Sequence, residues 1–142
     1  MNLTDIEVIW EEDSKIDPDN LHLESLKIPV LHSKYYQIYN KISILKKAEE
    51  NSWAELQKSK WLYYSGKADP EVYKQKPFDH RVLKADLDKY LNADPDILKS
   101  KTKLDYYQMM MKYLESILKS LDNRNFTIKN SIDFMKFIAG HS

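Results

Sequence analysis

The chain contains no cysteine, only two glycines and only five prolines among its 142 residues. Disulfide bonds and thiol chemistry are therefore excluded, and a reducing compartment is expected. So few glycines also exclude a glycine-rich loop that binds phosphates. No apolar run approaches the roughly 20 residues of a membrane span, and residues 1–7 lack the basic and apolar regions of a signal peptide. We therefore expect a soluble, cytoplasmic protein.

The residues that usually carry catalysis or bind metals are scattered along the chain. The four histidines lack the i, i+4 spacing of a helical zinc pair, so surface or packing roles are favoured. They are His22, His32, His80 and His141. Asp94 and Asp96 flank Pro95 and are explained better by helix capping than by an acid pair or an ion site. The sequence thus predicts no catalytic residues, no metal site and no cofactor.

Charge is unevenly distributed, although the net charge is zero. Residues 1–28 hold eight acidic and two basic residues, whereas residues 34–84 hold eleven basic and six acidic residues. Such a chain can attract an anion at its basic middle and a basic partner at its acidic arm. Alternatively, the two regions pair with each other, within or between subunits.

The first 30 residues predict two short helices. Thr4–Glu7 fits a capping box that opens a helix ending near Asp13. Asp17–Pro18 then fits an N-cap followed by the first helical residue. Because proline removes a backbone donor and clashes with the preceding turn, we expect a kink or a break at Pro29.

A long basic helix is predicted over residues 29–66. No proline or glycine interrupts the chain from Val30 to Tyr64, and apolar residues recur there at spacings of three and four. These residues are Leu31, Tyr35, Ile38, Ile42 and Leu45. Gly66 is expected to end the helix. A helix this long cannot bury its whole face in so small a chain, so we expect it to pack against another subunit.

Residues 80–140 are predicted to form C-terminal helices. After a loop over residues 67–79, a short helix is expected over Arg81–Tyr90. A longer helix, opened by the Asp94-Pro95 pair, is expected to end near Leu121. A turn at Asn123–Asn125 precedes a last helix that ends before Gly140.

The C-terminal helices carry a broad apolar stripe, wider than the surface helix of a monomer needs. We predict that this stripe forms the interface of a homo-oligomer. The predicted interface residues are Leu104, Tyr107, Met111, Leu114, Leu118, Leu121, Ile132, Met135 and Ile138. With no alternating strand-like runs, residues 1–142 predict a single all-α domain.

Lysines and aromatic residues cluster in residues 58–67, where the long helix is expected to end. Cations that meet phosphates, next to rings that stack on bases, are what a site for single-stranded nucleic acid requires. The candidate DNA-binding residues are Lys58, Lys60, Lys67, Lys46, Lys47, Lys41, Tyr63 and Tyr64, with Trp61 as a further candidate ring. Alternatively, the tyrosines pack in a core or an interface and the lysines only solvate a helix face.

Three segments resemble the UvsY family, the recombination mediators of T-even-like bacteriophages. The first is Tyr63-Tyr64-Ser65-Gly66, preceded by Lys58 and Lys60. The second is the run Leu91–Lys99 (LNADPDILK), and the third is the closing segment from Phe126 to Gly140. The family has Lys-x-Arg where this chain has Lys58-x-Lys60, so the charge is kept but the planar guanidinium is lost.

This resemblance implies an all-helical protein that assembles through its C-terminal region into a ring-like homo-oligomer. It implies binding to single-stranded DNA, to the phage recombinase and to the phage single-strand-binding protein, in the cytoplasm of the bacterial host. The implied function is to help the recombinase replace that binding protein during recombination, repair and replication of DNA. A helical adaptor without nucleic-acid affinity, its lysines paired with acidic arms, is the alternative from another class.

Overall fold

The structure, a computed structural model, describes residues 1–140, and these are helical with no strand. The elements are α1 (Leu3–Asp13), α2 (Leu21–Tyr64), α3 (Pro70–Gln75), a 3₁₀ turn (Lys84–Asp86), α4 (Leu87–Asn92) and α5 (Pro95–Ile138). The predicted all-α class is confirmed. None of the described helices is long and apolar enough to cross a membrane.

The described residues group into two compact units. Unit 1 contains residues 1–42 and 109–140, and unit 2 contains residues Ser43–Gln108. Each of the long helices α2 and α5 therefore contributes one stretch to each unit.

Helix α1 begins slightly earlier than predicted. Asn2, not Thr4, is the N-cap: its Oδ1 accepts from the backbone N–H of Asp5 at 2.8 Å. The Asp5 Oδ2 accepts in return from the Asn2 backbone N–H at 2.9 Å, which completes a capping box. Asn2 and Asp5 therefore have the capping roles that were predicted for Thr4 and Glu7. The predicted end of the helix at Asp13 is confirmed.

Unit 1 is organised around a core of fully buried side chains. The largest are Tyr35, Ile6, Met110, Leu114, Ile117 and Leu121. Leu114 and Leu121 are 0% exposed, so their prediction as oligomer-interface residues was wrong: the chain itself covers them. Ile132 also packs within this unit, against the cluster of Leu21, Ile28 and Ile128.

Asp13, at the end of α1, ties the acidic arm to the rest of unit 1. Its carboxylate accepts from the Tyr35 hydroxyl at 2.7 Å and pairs with Lys34 at 2.6 Å. Its backbone carbonyl accepts from the guanidinium of the buried Arg124 at 2.9 Å, and that guanidinium also lies 5.7 Å from the ring of Trp10. Burial would raise the pKa of Asp13, but these cations and hydrogen bonds outweigh it and lower the pKa. At least this part of the arm therefore pairs with the chain's own lysine.

The helix boundaries predicted between residues 17 and 29 were wrong. Residues 17–20 form a turn, in which Asp17 Oδ1 accepts from the Asp19 N–H at 3.0 Å, and α2 begins only at Leu21. Pro29 lies inside α2 instead of breaking it. The adjacent Ile28 packs in a buried cluster with Leu21 and Ile128, and tertiary contacts of this kind override local propensity.

The predicted turn at Asn123–Asn125 is also absent, and α5 is continuous from Pro95 to Ile138. Arg124, between the two asparagines, is only 4% exposed and lies on the same face as the buried Leu121 and Ile128. The buried stripe therefore continues through the polar triplet at spacings of three and four, with the aliphatic stem of an arginine in place of an apolar residue.

Unit 2 has a smaller core, formed by Leu87, Leu91 and Ile97 with Leu56, Tyr64 and Val82 packed against it. The predicted loop over residues 67–79 contains the short helix α3, which has Pro70 at its start. The helix predicted over Arg81–Tyr90 is instead a 3₁₀ turn followed by α4. Both differences place short helical turns beside the end of α2.

Candidate nucleic-acid interface

The C-terminus of α2 ends in a tight glycine cap. Gly66 has a φ of +77°, a left-handed conformation that glycine adopts without steric cost. The backbone N–H of Gly66 donates to the Tyr63 carbonyl at 3.3 Å, and that of Lys67 donates to the Leu62 carbonyl at 2.9 Å, as in a Schellman motif. The prediction that Gly66 ends the helix is confirmed. The cap turns the chain back so that the Lys67 ammonium lies 4.7 Å from the ring centroid of Trp61.

Two predicted cations remain available at this helix end. Lys58 is exposed and Lys67 is exposed, and within residues 1–140 neither takes part in an ion pair. Lys58 precedes Trp61 by one helical turn, so the two side chains lie on one face of α2. Trp61 itself is 39% exposed. An exposed lysine, an exposed indole and a second lysine thus share one small surface.

Lys60, by contrast, is engaged inside unit 2. Its ammonium lies 2.8 Å from Asp96 Oδ2 and 3.3 Å from Asp94 Oδ2, and its side chain is 17% exposed. Burial lowers the pKa of Lys60, but the two carboxylates outweigh this effect and raise it. Lys60 is therefore firmly charged and already neutralised by the chain itself.

Asp94 is the centre of this network. Its Oδ1 caps α5 by accepting from the backbone N–H groups of Asp96 at 2.9 Å and Ile97 at 3.2 Å. Its Oδ2 accepts from the Tyr64 hydroxyl at 2.6 Å and faces Lys60. Burial would raise the pKa of Asp94, but these hydrogen bonds and the nearby ammonium lower it. The predicted capping role of the Asp94-Pro95 pair is confirmed, and the second carboxylate oxygen joins α5 to the end of α2.

Tyr63 and Tyr64 belong to a cluster of packed rings. Tyr63 stacks on Tyr73 with ring centroids 5.5 Å apart. The rings of Tyr63 and Tyr64 both contact Phe78, with centroid distances of 5.3 and 5.2 Å. Tyr64 also contacts Tyr90 at 5.7 Å. Burial and the hydrogen bond to Asp94 raise the pKa of the Tyr64 hydroxyl. These contacts match the packing alternative for the two rings.

The other candidate lysines differ in how exposed they are and in whether an acidic residue lies close to them. Lys46 is half-buried, hydrogen-bonds Gln108 and lies 3.8 Å from Glu50. Lys47 is 73% exposed and also lies 3.8 Å from Glu50. Lys41 is exposed and belongs to unit 1, whereas all the other candidate lysines belong to unit 2.

The remaining predicted interface residues on α5 fall into two groups. Leu104, Tyr107, Met111, Leu118 and Ile132 are half-buried. Met135 and Ile138 are 46% and 68% exposed. Three phenylalanines outside the predicted interface are equally open: Phe126, Phe134 and Phe137, at 68%, 62% and 77%. Their signal in the sequence is that each large apolar ring directly follows a polar or charged residue of the helix: Asn125, Asp133 and Lys136.

The histidines form no metal site in the described part of the chain, where no group of three or more His, Asp or Glu side chains is placed to hold an ion. His32 stacks on Tyr36 at 6.1 Å and lies 3.7 Å from Asp122. His80 contacts Phe78 edge-on at 5.5 Å. His22 is exposed, and His141 lies outside the described residues.

Comparison with known proteins places the whole chain in one family. The family model for the recombination, repair and ssDNA binding protein UvsY matches residues 9–141. The chain belongs to the UvsY family. It is 30% identical to the recombination protein UvsY of Enterobacteria phage T4 over 99% of both chains. The family resemblance seen in the sequence motifs is therefore confirmed.

Solved structures of a UvsY protein share the fold. One crystal structure of the bacteriophage T4 recombination mediator protein UvsY matches with a TM-score of 0.87 and 28% identity, covering 98% of both chains. A second lattice of the same protein gives a TM-score of 0.86 and 28% identity over 96% of this chain and 99% of that one. The arrangement of two long helices with short connecting elements is thus that of the UvsY family.

Proposed function

We propose that this UvsY-family chain is a recombination mediator. It binds single-stranded DNA and helps the phage recombinase replace the phage single-strand-binding protein during homologous recombination, repair and replication. It acts in the cytoplasm of the bacterial host, needs no cofactor or metal, and carries out no catalysis. Family membership supports the recombination role.

The observation that carries the DNA-binding part is the surface at the end of α2. Lys58 and Lys67 are exposed beside the exposed ring of Trp61, and neither lysine is paired with an acid among residues 1–140. When unpaired lysines neutralise phosphates, the counterions condensed on the nucleic acid are released, and this release drives binding. Lys60 contributes indirectly by holding the end of α2 against the start of α5. Lys46 and Lys47, further back along α2 within unit 2, add positive charge, and Lys41 of unit 1 is a separate candidate contact.

The adaptor alternative receives partial support, because the chain neutralises several lysines itself. Lys60 pairs with Asp94 and Asp96, and Lys34 pairs with Asp13 of the acidic arm. The exposed surface formed by Lys58, Trp61 and Lys67 favours the DNA-binding protein, because an adaptor does not require exposed cations beside an exposed ring.

Self-assembly completes the proposal. We place the contact between subunits at the open end of α5, where Phe134, Met135, Phe137 and Ile138 are exposed. A ring-like homo-oligomer would present several copies of the α2 end to one strand. Linked weak sites bind far more tightly than single ones, because each further contact is intramolecular.

DNA strand exchange by the phage recombinase, on single strands coated with the phage single-strand-binding protein, tests the proposed function. We expect the wild-type chain to stimulate exchange. Lys58→Gln should stimulate it less, because each subunit then has one cation fewer to neutralise the phosphates. The matched control is Lys119→Gln, which removes an exposed lysine of unit 1 and should behave like wild type. A wild-type chain that binds single strands but leaves exchange unchanged would contradict the loading step.

A further inference from the structure

Trp61 differs from the other large rings at the end of α2. Tyr63 and Tyr64 are packed against Tyr73, Phe78 and Tyr90. Trp61 is 39% exposed, and it belongs to none of the ring pairs found among residues 1–140. An exposed indole can bind a partner favourably, because burying it against that partner removes a large apolar area from water.

Within the described chain, the Trp61 ring meets a cation: the Lys67 ammonium lies 4.7 Å from its centroid. This contact shows that one face of the indole is reachable by a group from outside the core. A cation–π contact at an exposed site is weaker than the stacking of a nucleic-acid base on an aromatic ring. A base can therefore displace the ammonium, which stays close by on its flexible stem.

We propose that Trp61 is a stacking site for one unpaired base of the bound strand, with Lys58 and Lys67 contacting the phosphates beside it. This inference rests on the proposed single-strand binding and adds a contact with a base to one with the backbone. Bases in a duplex are stacked on one another, so their faces are not free for the indole. Trp61 would thus favour single strands over duplex DNA, which phosphate contacts alone do not distinguish well.

Replacing Trp61 by leucine tests the stacking site, since leucine keeps apolar bulk but removes the π face. Affinity is measured by fluorescence anisotropy with an oligothymidylate and with an abasic strand of the same length and charge. We expect Trp61→Leu to weaken binding to oligothymidylate by roughly 5- to 100-fold, the range for loss of one stacked base. Trp61→Leu and wild type should bind the abasic strand with equal affinity. The control Trp61→Phe keeps a ring and should retain most of the affinity.

Three other results of this binding experiment would overturn the stacking site at Trp61. Equal losses on both strands would show that Trp61 supports the local structure and would overturn the stacking site. Unchanged binding of Trp61→Leu to both strands would overturn it as well, while leaving single-strand binding intact. A wild-type chain that binds neither strand would overturn the stacking site together with the proposed function. A melting temperature within a few degrees of wild type confirms that the leucine variant is folded.

Discussion

Replacing Asp94 by alanine is expected to lower the free energy of unfolding by about 2–5 kcal/mol, because losing a helix cap costs roughly 0.5–2 kcal/mol and leaving a buried hydroxyl unpaired costs about 1–3 kcal/mol. Asp94 is only 3% exposed, and four groups depend on its carboxylate. The substitution removes the cap of α5 and leaves the Tyr64 hydroxyl and the Lys60 ammonium without their shared acceptor. Chemical denaturation monitored by circular dichroism measures the loss.

Two control variants separate the contributions of Asp94. Asp96→Ala removes the other partner of Lys60, but that side chain is 55% exposed, so a cost of about 0–1 kcal/mol is expected. Asp94→Asn keeps a carbonyl oxygen for the α5 cap and should fall between the two. Equal small losses for Asp94→Ala and Asp96→Ala would contradict the central role of Asp94.

The effect of Asp94 should also depend on pH. Because the folded protein holds the pKa of Asp94 below its ordinary value of 3.8, the carboxylate stabilises the fold fully above that value. Its contribution is lost as the pH falls below 3.8 and through the folded-state pKa. The difference in stability between wild type and Asp94→Ala should therefore narrow in this acidic range. A difference that stays constant as the pH falls would indicate that the charge is not what stabilises the network.

If the chain assembles as proposed, replacing Phe134 and Phe137 together by aspartate is expected to leave it monomeric. Both rings are more than half exposed near the end of α5, and burying two charges in an apolar interface is strongly unfavourable. Since avidity multiplies affinity by about 10²–10⁴, single-strand affinity should fall by at least about 100-fold. Sedimentation gives the mass and anisotropy gives the affinity.

The matched control adds the same charge without removing apolar surface. Asn123→Asp with Asn130→Asp changes two exposed residues of α5 and should leave both the mass and the affinity close to those of wild type. A phenylalanine double variant with unchanged mass would show that this end of α5 is not the contact between subunits.

Local signals in the sequence predicted the fold class and the ends of helices where the chemistry is local. Gly66 ends α2, and Asp94 caps α5, because both effects arise within a few residues. A kink or a break was predicted at Pro29, and no break occurs there; the turn predicted at Asn123–Asn125 was wrong. Buried apolar residues from distant parts of the chain pack beside both stretches. Local propensity is a weak guide where such packing decides.

The candidate site was predictable as a basic and aromatic segment, but not in its details. Spacing on a helix does not show that Lys60 meets carboxylates from another helix, or that Tyr64 donates to one of them. Whether Lys58, Trp61 and Lys67 are exposed likewise depends on contacts between distant parts of the chain, which helical spacing does not give. The DNA-binding roles of the predicted lysines and tyrosines remain predictions.

The salt dependence of single-strand affinity, measured for wild type, Lys58→Gln and Lys60→Gln, tests most directly whether the exposed end of α2 binds the strand. Wild-type affinity should fall steeply with salt. For Lys58→Gln, the slope of log affinity against log salt should be shallower by about 0.7 for each phosphate that is no longer neutralised. For Lys60→Gln the slope should stay that of wild type, because Asp94 and Asp96 already neutralise this lysine. Equal slopes for all three proteins, or a shallower slope for Lys60→Gln alone, would contradict this site.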